Sequence, residues 1–206
     1  MKSNILMTIA LILLLPAIAQ PATMVVGKAT DGFEYNSVRD LQAKWTILNS
    51  GFTKPLAIEL ITRNVKEGKK ALLLKSYPAA NTSSVRIDLD ITPDIPLKDV
   101  KQIRFWVYID NPQSLAQTGI HCGDSTWTNC FSKFGYMGFV KGWQRVFVST
   151  DSLVVGGGNP SWETATQMRL TFWFTAGAPA TKIILDDISW STTKERDRIL
   201  NKKWYD

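Results

Sequence analysis

The chain has 206 residues, of which 45% are hydrophobic and 20% are charged, a length and composition that predict one domain with a sizeable core. Its formal net charge of +6 is mildly basic, and the Lys and Arg residues are mostly scattered, apart from Lys69, Lys70 and the C-terminal tail. A nucleic-acid-binding stripe would be denser, so nucleic acid is excluded as the expected partner. The net positive charge is compatible with a weak preference of the protein for anionic glycans.

Signatures of catalysis are mostly absent from the sequence. The single histidine, His121, leaves one candidate for a Ser-His-Asp triad and too few ligands for a His-rich metal site. There is no Gly-x-Ser-x-Gly elbow, no His-Glu-x-x-His motif and no phosphate-binding loop. We therefore expect no catalytic residue.

The first nineteen residues predict a secretory signal peptide. Lys2 precedes an apolar run over residues 5–15, Pro16 breaks it, and residues 17–19 give a small-residue cleavage pattern. A membrane anchor is the alternative, but this run is too short to cross roughly 30 Å of hydrocarbon as a helix. We expect a secreted or periplasmic protein whose folded domain covers residues 20–191, with no transmembrane anchor.

Two short acidic motifs lie near the two ends of that domain, at residues 31–34 and 185–190. A β-sandwich often places its first and last strands side by side, which would bring these carboxylates together. Carboxylate oxygens are the ligands that Ca²⁺ prefers. Asp31, Glu34 and either Asp186 or Asp187 are therefore candidate ligands of a structural Ca²⁺, with a plain charged strand edge as the alternative.

Between these motifs the sequence predicts strands almost throughout. Residues 37–43 are typical of a short helical turn capped by Ser37, with Trp45 beginning the next strand. Period-two alternation of apolar and polar residues then recurs, separated by Gly, Pro and Asn turns. About ten strands without a long helix favour an all-β sandwich of two antiparallel sheets. The charged tail over residues 192–206 has helical propensity.

The two cysteines, Cys122 and Cys130, flank a short segment with Trp127 at its tip. In an exported protein a disulfide is the default for such a pair, and it would make the hairpin rigid. A metal pair is the alternative, but the spacing does not match a zinc knuckle.

Aromatic and Arg residues alternate with the predicted core positions on several strands. Aromatic rings stack on the C–H faces of sugars, while guanidinium and carboxylate groups bind hydroxyls. The alternative is that loops or the tail cover these rings and make them core. The candidate carbohydrate-binding residues are Arg104, Trp106, Tyr108, Arg145, Arg169 and Trp173, together with Trp127.

Three motifs resemble carbohydrate-binding modules of the galactose-binding-like jelly-roll type: residues 31–34 followed by Trp45 and residues 68–74, then residues 142–148, and residues 184–188. The resemblance implies a jelly-roll β-sandwich with a structural Ca²⁺ at Asp31, Glu34 and Asp186. It also implies that ligand binds on a concave sheet face holding Trp106, Tyr108, Arg169 and Trp173.

We expect from these features a non-catalytic protein that binds a polysaccharide or surface glycan. A jelly-roll polysaccharide lyase is the first alternative, with His121, Tyr108 and Arg169 as its only candidate groups. A glycoside hydrolase would use a carboxylate pair such as Asp88 and Asp90. An adhesion or assembly protein that uses the aromatic face for protein contacts is the other alternative.

Overall fold

The computed structural model describes residues 28–192 except Ser83 and Phe139. The predicted signal peptide and nearly all of the charged tail lie outside these residues. In the described part of the chain no helix is long and apolar enough to cross a membrane.

The strands and the α-helix are β1 (Lys28–Asp31), α1 (Val38–Lys44), β2 (Trp45–Ser50), β3 (Ala57–Ile61), β4 (Ala71–Ser76), β5 (Val85–Ile91), β6 (Gln102–Ile109), β7 (Leu115–Gly123), β8 (Cys130–Phe134), β9 (Gly142–Ser149), β10 (Val154–Gly157), β11 (Gln167–Phe174) and β12 (Thr181–Ser191). Single turns of 3-10 helix lie at Leu97–Asp99, Pro112–Ser114 and Thr150–Ser152.

The strands form two six-stranded sheets in which neighbouring strands are antiparallel. Sheet A has the order β3-β4-β12-β6-β9, with β1 also paired to β12. Sheet B has the order β10-β8-β7-β11-β5-β2. The prediction of an all-β sandwich of two antiparallel sheets is confirmed, and the first and last strands are neighbours as the sequence predicts.

The hydrophobic core lies between the two sheets and follows the predicted alternation. In sheet A, Phe105 and Val107 of β6 are buried, and in sheet B, Leu170 and Phe172 of β11 are buried opposite them. Burying each such side chain stabilises the fold by about 1.5–3 kcal/mol. The residues between them on each strand therefore lie on the outer faces of the sandwich.

The predicted helical turn is confirmed as α1. Ser37 is its N-cap and accepts a hydrogen bond from the backbone N–H of Asp40 at 3.1 Å, a type of cap that contributes about 1 kcal/mol. Trp45 begins β2 directly after the helix, stacks on Phe33 and donates from Nε1 to Asp31 Oδ2 at 2.8 Å. The helix thus closes one end of the core.

The predicted disulfide between Cys122 and Cys130 is wrong, because the two side chains lie on opposite faces of sheet B. Cys122 pairs with Phe131 across the β7–β8 ladder, and Cys130 pairs with Gly123, one residue out of register. Successive residues of a strand point to opposite faces, so both cysteines are free thiols. Cys122 is in the core, where burial raises the pKa of its thiol to about 12.

Gly156 and Gly157 belong to the edge strand β10. A Cβ on Gly156 would lie 2.0 Å from Ser132 Oγ on β8. The glycine therefore allows the close approach of two strands, which is a packing role that composition alone does not indicate.

Candidate functional site

The predicted aromatic face is divided between the two sheets. Trp106 and Tyr108 are on β6 of sheet A, whereas Arg169 and Trp173 are on β11 of sheet B. The expectation that one face holds all of them is wrong. Periodicity identifies residues that share one face of a strand, but it does not indicate which sheet the strand joins.

The outer face of sheet A is covered by the β3–β4 loop, residues 62–70. Val65 of this loop packs on a small cluster of buried residues made by Ala71, Leu73 and Ile184. Trp143 of β9 joins the same cluster and donates from Nε1 to Asn64 Oδ1 at 3.0 Å. Tyr108 and Trp143 thus belong to a small second core.

Trp106 lies in the centre of this covered face. Lys66 Nζ and Arg145 Cζ are each 5.2 Å from the centre of its ring, and Trp143 contacts it edge-on at 6.5 Å. Its indole N–H is buried and has no hydrogen-bond partner among the described residues. Two cationic groups therefore lie within cation–π distance of this ring.

Arg104 is buried, with 5% of its surface exposed, and its Nε donates to Ser189 Oγ at 2.8 Å. The expectation that Arg104 projects from an open face is wrong. The β-bulge that β12 forms between Asp186 and Ser189 brings this Ser into reach of β6.

Two of the predicted calcium ligands hold the covering loop in place. Asp186, fully buried, accepts at Oδ2 from the backbone N–H groups of Lys66 at 2.7 Å and Glu67 at 3.0 Å. Glu34 accepts at Oε1 from the backbone N–H groups of Lys69 and Lys70. The bond from Lys69 is the largest cause that lowers the pKa of Glu34.

The third predicted ligand, Asp31, is also engaged. It accepts from the backbone N–H of Phe33, from the Tyr35 hydroxyl at 2.5 Å and from Trp45 Nε1. Among the described residues no group of three or more His, Cys, Asp or Glu side chains converges on a point that could hold a metal ion. The predicted Ca²⁺ site is therefore not supported.

The second carboxylate oxygen of Asp186 differs from the oxygens described above, which accept hydrogen bonds. Within residues 28–192, Oδ1 is buried and has no hydrogen-bond partner, and burial raises the pKa of this carboxyl. The carboxyl is stabilised in the fold by its two loop amides rather than by a charge partner of its own.

The outer face of sheet B is organised around an ion pair. Arg169 of β11 donates from Nε and Nη2 to the two carboxylate oxygens of Asp90 on β5, at 2.6 and 2.7 Å. The ring of Trp127 lies over the guanidinium with its centre 4.2 Å from Cζ, and its Nε1 donates to Asp90 Oδ2 at 3.2 Å. An indole, a cation and an anion are therefore held together at this position.

The β7–β8 loop that carries Trp127 is held by Asp124 rather than by a disulfide. Asp124 Oδ1 accepts from the backbone N–H and the hydroxyl of Thr126, and Oδ2 accepts from Asn129 Nδ2 at 2.8 Å. The bond from Asn129 is the largest cause that lowers the pKa of Asp124, to about 2. Trp127 itself has a φ of 60°, a conformation that these contacts must stabilise.

A second group of aromatic rings lies further along the same face. Trp173 contacts His121 and Phe134 with ring centres 6.1 and 5.9 Å apart. A Cβ on Gly119 would lie 2.8 Å from Trp173 Cζ3 and 2.7 Å from His121 Nε2, so only glycine leaves room for the rings. Trp173 is four residues from Arg169, which separates the two aromatic groups by about 13 Å along the strand.

His121 is neutral near pH 7. Its Nδ1 is 2.7 Å from the hydroxyl of Ser132, and burial, followed by the charge of Arg169, lowers its pKa from 6.5 to about 4. Ser132 is buried on β8. This pair therefore stabilises the aromatic group and has no accessible nucleophile.

A cleft of about 340 Å³ lies on this face beside Trp127, bounded by α1, β2, β5 and β11. Leu48 of β2 lines it and is 49% exposed, as is Phe134 near the other aromatic group. The polar residues that line it are Lys44, Thr46, Asp90, Thr92, Ser125, Gln167 and Arg169. Trp127 and Trp173 are half-buried, and the exposed side chains Leu48 and Phe134 lie near the two ends of this face.

No protein-family model and no curated protein matches the sequence. The fold, however, is similar to solved structures. A family 11 carbohydrate-binding module from Clostridium thermocellum, in complex with a β-1,3-1,4-mixed-linked tetrasaccharide, is 10% identical with a TM-score of 0.55, over 83% of this chain and 99% of that chain. The same family's module of a cellulosomal cellulase of Clostridium thermocellum is 10% identical with a TM-score of 0.56, over 83% and 98% of the two chains.

The K2 cleaved adhesin domain of Lys-gingipain is also similar, with 12% identity and a TM-score of 0.50 over 80% of this chain and 99% of that chain. At these identities the similarity establishes the fold alone. The chain has the jelly-roll β-sandwich fold of carbohydrate-binding modules, and the fold that the sequence resemblance implies is confirmed.

Sequence reasoning missed three contributors to these faces. Asp124 fixes the Trp127 loop, Trp143 belongs to the covered face, and Asp90 binds both Arg169 and Trp127. Asp90 was visible as part of a carboxylate pair, but its pairing with Arg169 depends on the β5–β11 register. The pattern Asp-x-Thr at residues 124–126 is the available signal for the turn.

Proposed function

We propose that this protein is a secreted, non-catalytic carbohydrate-binding protein that binds a polysaccharide or surface glycan on the outer face of sheet B. The observation that carries the proposal is the Trp127 indole, held over the Arg169–Asp90 ion pair at the wall of an accessible cleft. Of the residues predicted from sequence, Trp127, Arg169 and Trp173 are on this face. The bound tetrasaccharide of the Clostridium thermocellum module supports the ligand class by similarity of fold.

Binding on this face needs no covalent step. The indole of Trp127 offers an apolar surface for the C–H face of a pyranose ring, and Asp90 and Arg169 supply an acceptor and donors for hydroxyl groups. The ion pair is formed before ligand arrives, so little side-chain entropy remains to be lost on binding. The indole and the charged pair thus form a preorganised sugar-binding surface.

The charge of the face favours an uncharged glycan. Asp90 pairs with both donors of the Arg169 fork, and Asp88 is paired with Arg86 Nε at 3.2 Å and accepts from the Thr171 hydroxyl. A uronic acid would have to displace an existing carboxylate to reach Arg169. Trp106, Tyr108 and Arg145 on sheet A are weaker candidates, because the β3–β4 loop covers that face.

Catalysis is disfavoured by the same geometry. The lyase candidates Tyr108 and His121 are on different sheets, so they cannot act on one substrate. Asp88 and Asp90 are both engaged in ion pairs rather than set for acid and base roles. Secretion rests on the predicted signal peptide.

A protein-contact role is the second candidate, since two adjacent valines of the edge strand β10, Val154 and Val155, are 66% and 63% exposed. Exposed apolar residues on an edge strand favour association with another chain. The similarity in fold to an adhesin domain is compatible with this role. A stable self-associated or partner-bound form that buries Val154 and Val155 would favour it.

Affinity electrophoresis on a panel of neutral and anionic polysaccharides tests the proposal. Wild type should be retarded by at least one neutral polymer, and Trp127→Ala should lose the retardation. Phe147→Ala is the matched control, since Phe147 is an aromatic residue 37% exposed on the outer face of sheet A. No retardation on any polymer, or equal binding by Trp127→Ala and wild type, would contradict the proposal.

A further inference from the structure

A second cleft, of about 400 Å³, lies at one end of the sandwich. It is formed by the segment that follows β5 and the segment that precedes β11, which meet because these strands are antiparallel neighbours. Ile95 and Pro96 line one side and Trp162 lines the other. The cleft therefore combines apolar walls with a tryptophan.

The position of Trp162 is fixed by its surroundings. One face of its ring stacks on Phe131, with centres 4.3 Å apart and planes at 9°. The turn that carries it is closed by hydrogen bonds from the backbone N–H groups of Thr164 and Ala165 to Ser161 O, at 3.1 and 3.0 Å. The indole is thus held in place without a ligand, which lowers the entropy cost of binding.

The rim of this cleft carries a charge pair. Lys98 Nζ is 3.0 Å from Glu163 Oε2, and both side chains are largely exposed. A tryptophan beside a paired cation and anion is the same combination as Trp127 beside Arg169 and Asp90. Such a pair offers donors and an acceptor to hydroxyl groups while adding no net charge.

The two clefts adjoin each other at Thr92. Thr92 lines both of them, and the adjacent residues Thr166 and Gln167 line the second and the first respectively. We propose that the two clefts form one groove in which Trp162 provides a second sugar subsite. The ligand is then a neutral polysaccharide chain long enough to contact Trp127 and Trp162 together, an inference that rests on the function proposed above.

The test begins with affinity electrophoresis on mixed-linked β-glucan, mannan, galactan and xylan, followed by calorimetry with oligosaccharides of increasing length cut from the polymers that bind. Affinity should rise with length until the chain spans both clefts. Trp162→Ala should lower affinity for long chains roughly tenfold or more and leave the shortest bound fragments unaffected. Trp127→Ala should weaken all lengths.

Thr92→Met is a second variant, placed at the junction of the clefts on an exposed residue whose substitution should not disturb folding. This variant should bind long oligosaccharides no more tightly than short ones, and its Tm should equal that of the wild type. Wild-type affinity of both Trp162→Ala and Thr92→Met for every length, with Trp127→Ala impaired, would overturn this inference alone. Failure of wild type to bind any polymer of the panel would overturn the proposed function and this inference together.

Discussion

The two outer faces of the sandwich carry similar residues but differ in how the neighbouring loops pack against them. Both present aromatic and Arg side chains, Trp106 and its cross-strand partner Arg145 on sheet A and Trp173 and Arg169 of β11 on sheet B. On sheet A the β3–β4 loop lies over the rings, and cations cover Trp106. On sheet B the β7–β8 loop holds Trp127 beside an accessible cleft.

The difference is in the anchoring of one loop rather than in the strands. Asp186 and Glu34 hold the amides of residues 66, 67, 69 and 70, and thereby fix the covering loop on sheet A. Asp124 instead closes its own loop on itself, and that loop places Trp127 over the Arg169–Asp90 pair of sheet B. An aromatic strand pattern therefore becomes part of a small core or lies beside an open cleft, according to how the neighbouring loop is anchored.

If the covering loop makes the outer face of sheet A structural, substitutions on that face should change the stability of the protein and leave ligand binding unchanged.

The largest effect on stability is expected on sheet B, from protonation of His121. Its pKa is 6.5 in an unfolded chain and about 4 in the fold, so the unfolded state binds more protons between these pH values. The free energy of unfolding should therefore fall as pH drops from about 6.5 to 4, by up to about 3 kcal/mol.

Urea unfolding of wild type and His121→Gln across this pH range measures the effect. The charged groups that act on His121 are Arg169, Arg86, Asp88 and Asp90, and all of them remain in the variant. The difference in unfolding free energy between the two proteins should change with pH in the stated direction. A difference that is constant with pH would contradict the assignment of a neutral His121.

The second expected effect is on sheet A. Asp186→Ala removes the acceptor of two loop amides and should lower the free energy of unfolding by about 1–3 kcal/mol. Asp186→Asn keeps an acceptor oxygen and should cost less. Polysaccharide binding of folded Asp186→Ala should match wild type, and loss of binding with Tm maintained would place the site on sheet A.

A smaller effect is expected at Gly119, where an added methyl group meets the rings of Trp173 and His121. Gly119→Ala should lower the free energy of unfolding by about 1 kcal/mol through overpacking and should weaken binding by displacing Trp173. Gly138→Ala is the control, since its nearest neighbour is a flexible Gln144 oxygen at 3.5 Å. Equal Tm values for the two variants would show that Trp173 is not packed over Gly119.

Treatment with a disulfide-reducing agent should have no effect on stability. Because Cys122 and Cys130 are on opposite faces of sheet B, dithiothreitol should leave Tm unchanged. Mass spectrometry of the native protein after brief alkylation should find Cys130 modified before the buried Cys122. A mass two protons lower than that of the reduced chain would instead indicate a disulfide.

Much of the fold was predictable from the sequence, because burial of one strand face imposes period-two alternation. The order of Phe105, Trp106, Val107 and Tyr108 correctly gives inner and outer positions. The Ser37 cap was predictable from the same local chemistry. Both features depend on residues that are neighbours in the chain.

The site was less predictable because it depends on contacts between distant residues. Nothing in the strand pattern assigns β6 and β11 to different sheets. Cys122 and Cys130 are one residue out of register across the β7–β8 ladder, which places their side chains on opposite faces of the sheet. No local signal in the sequence fixes that register. The capture of the β3–β4 loop by Asp186 joins residues 120 positions apart, which is why these acids resembled metal ligands in the sequence.

The most direct test of the distinction between the faces is an NMR titration that follows the indole N–H signals. A neutral polysaccharide fragment that retards the protein is added to the labelled chain, with assignments made from single Trp→Phe variants. The indole signals of Trp127 and Trp173 should shift on binding, while those of Trp106 and Trp143 should stay in place. Shifts confined to Trp106 and Trp143 would contradict a binding face on sheet B.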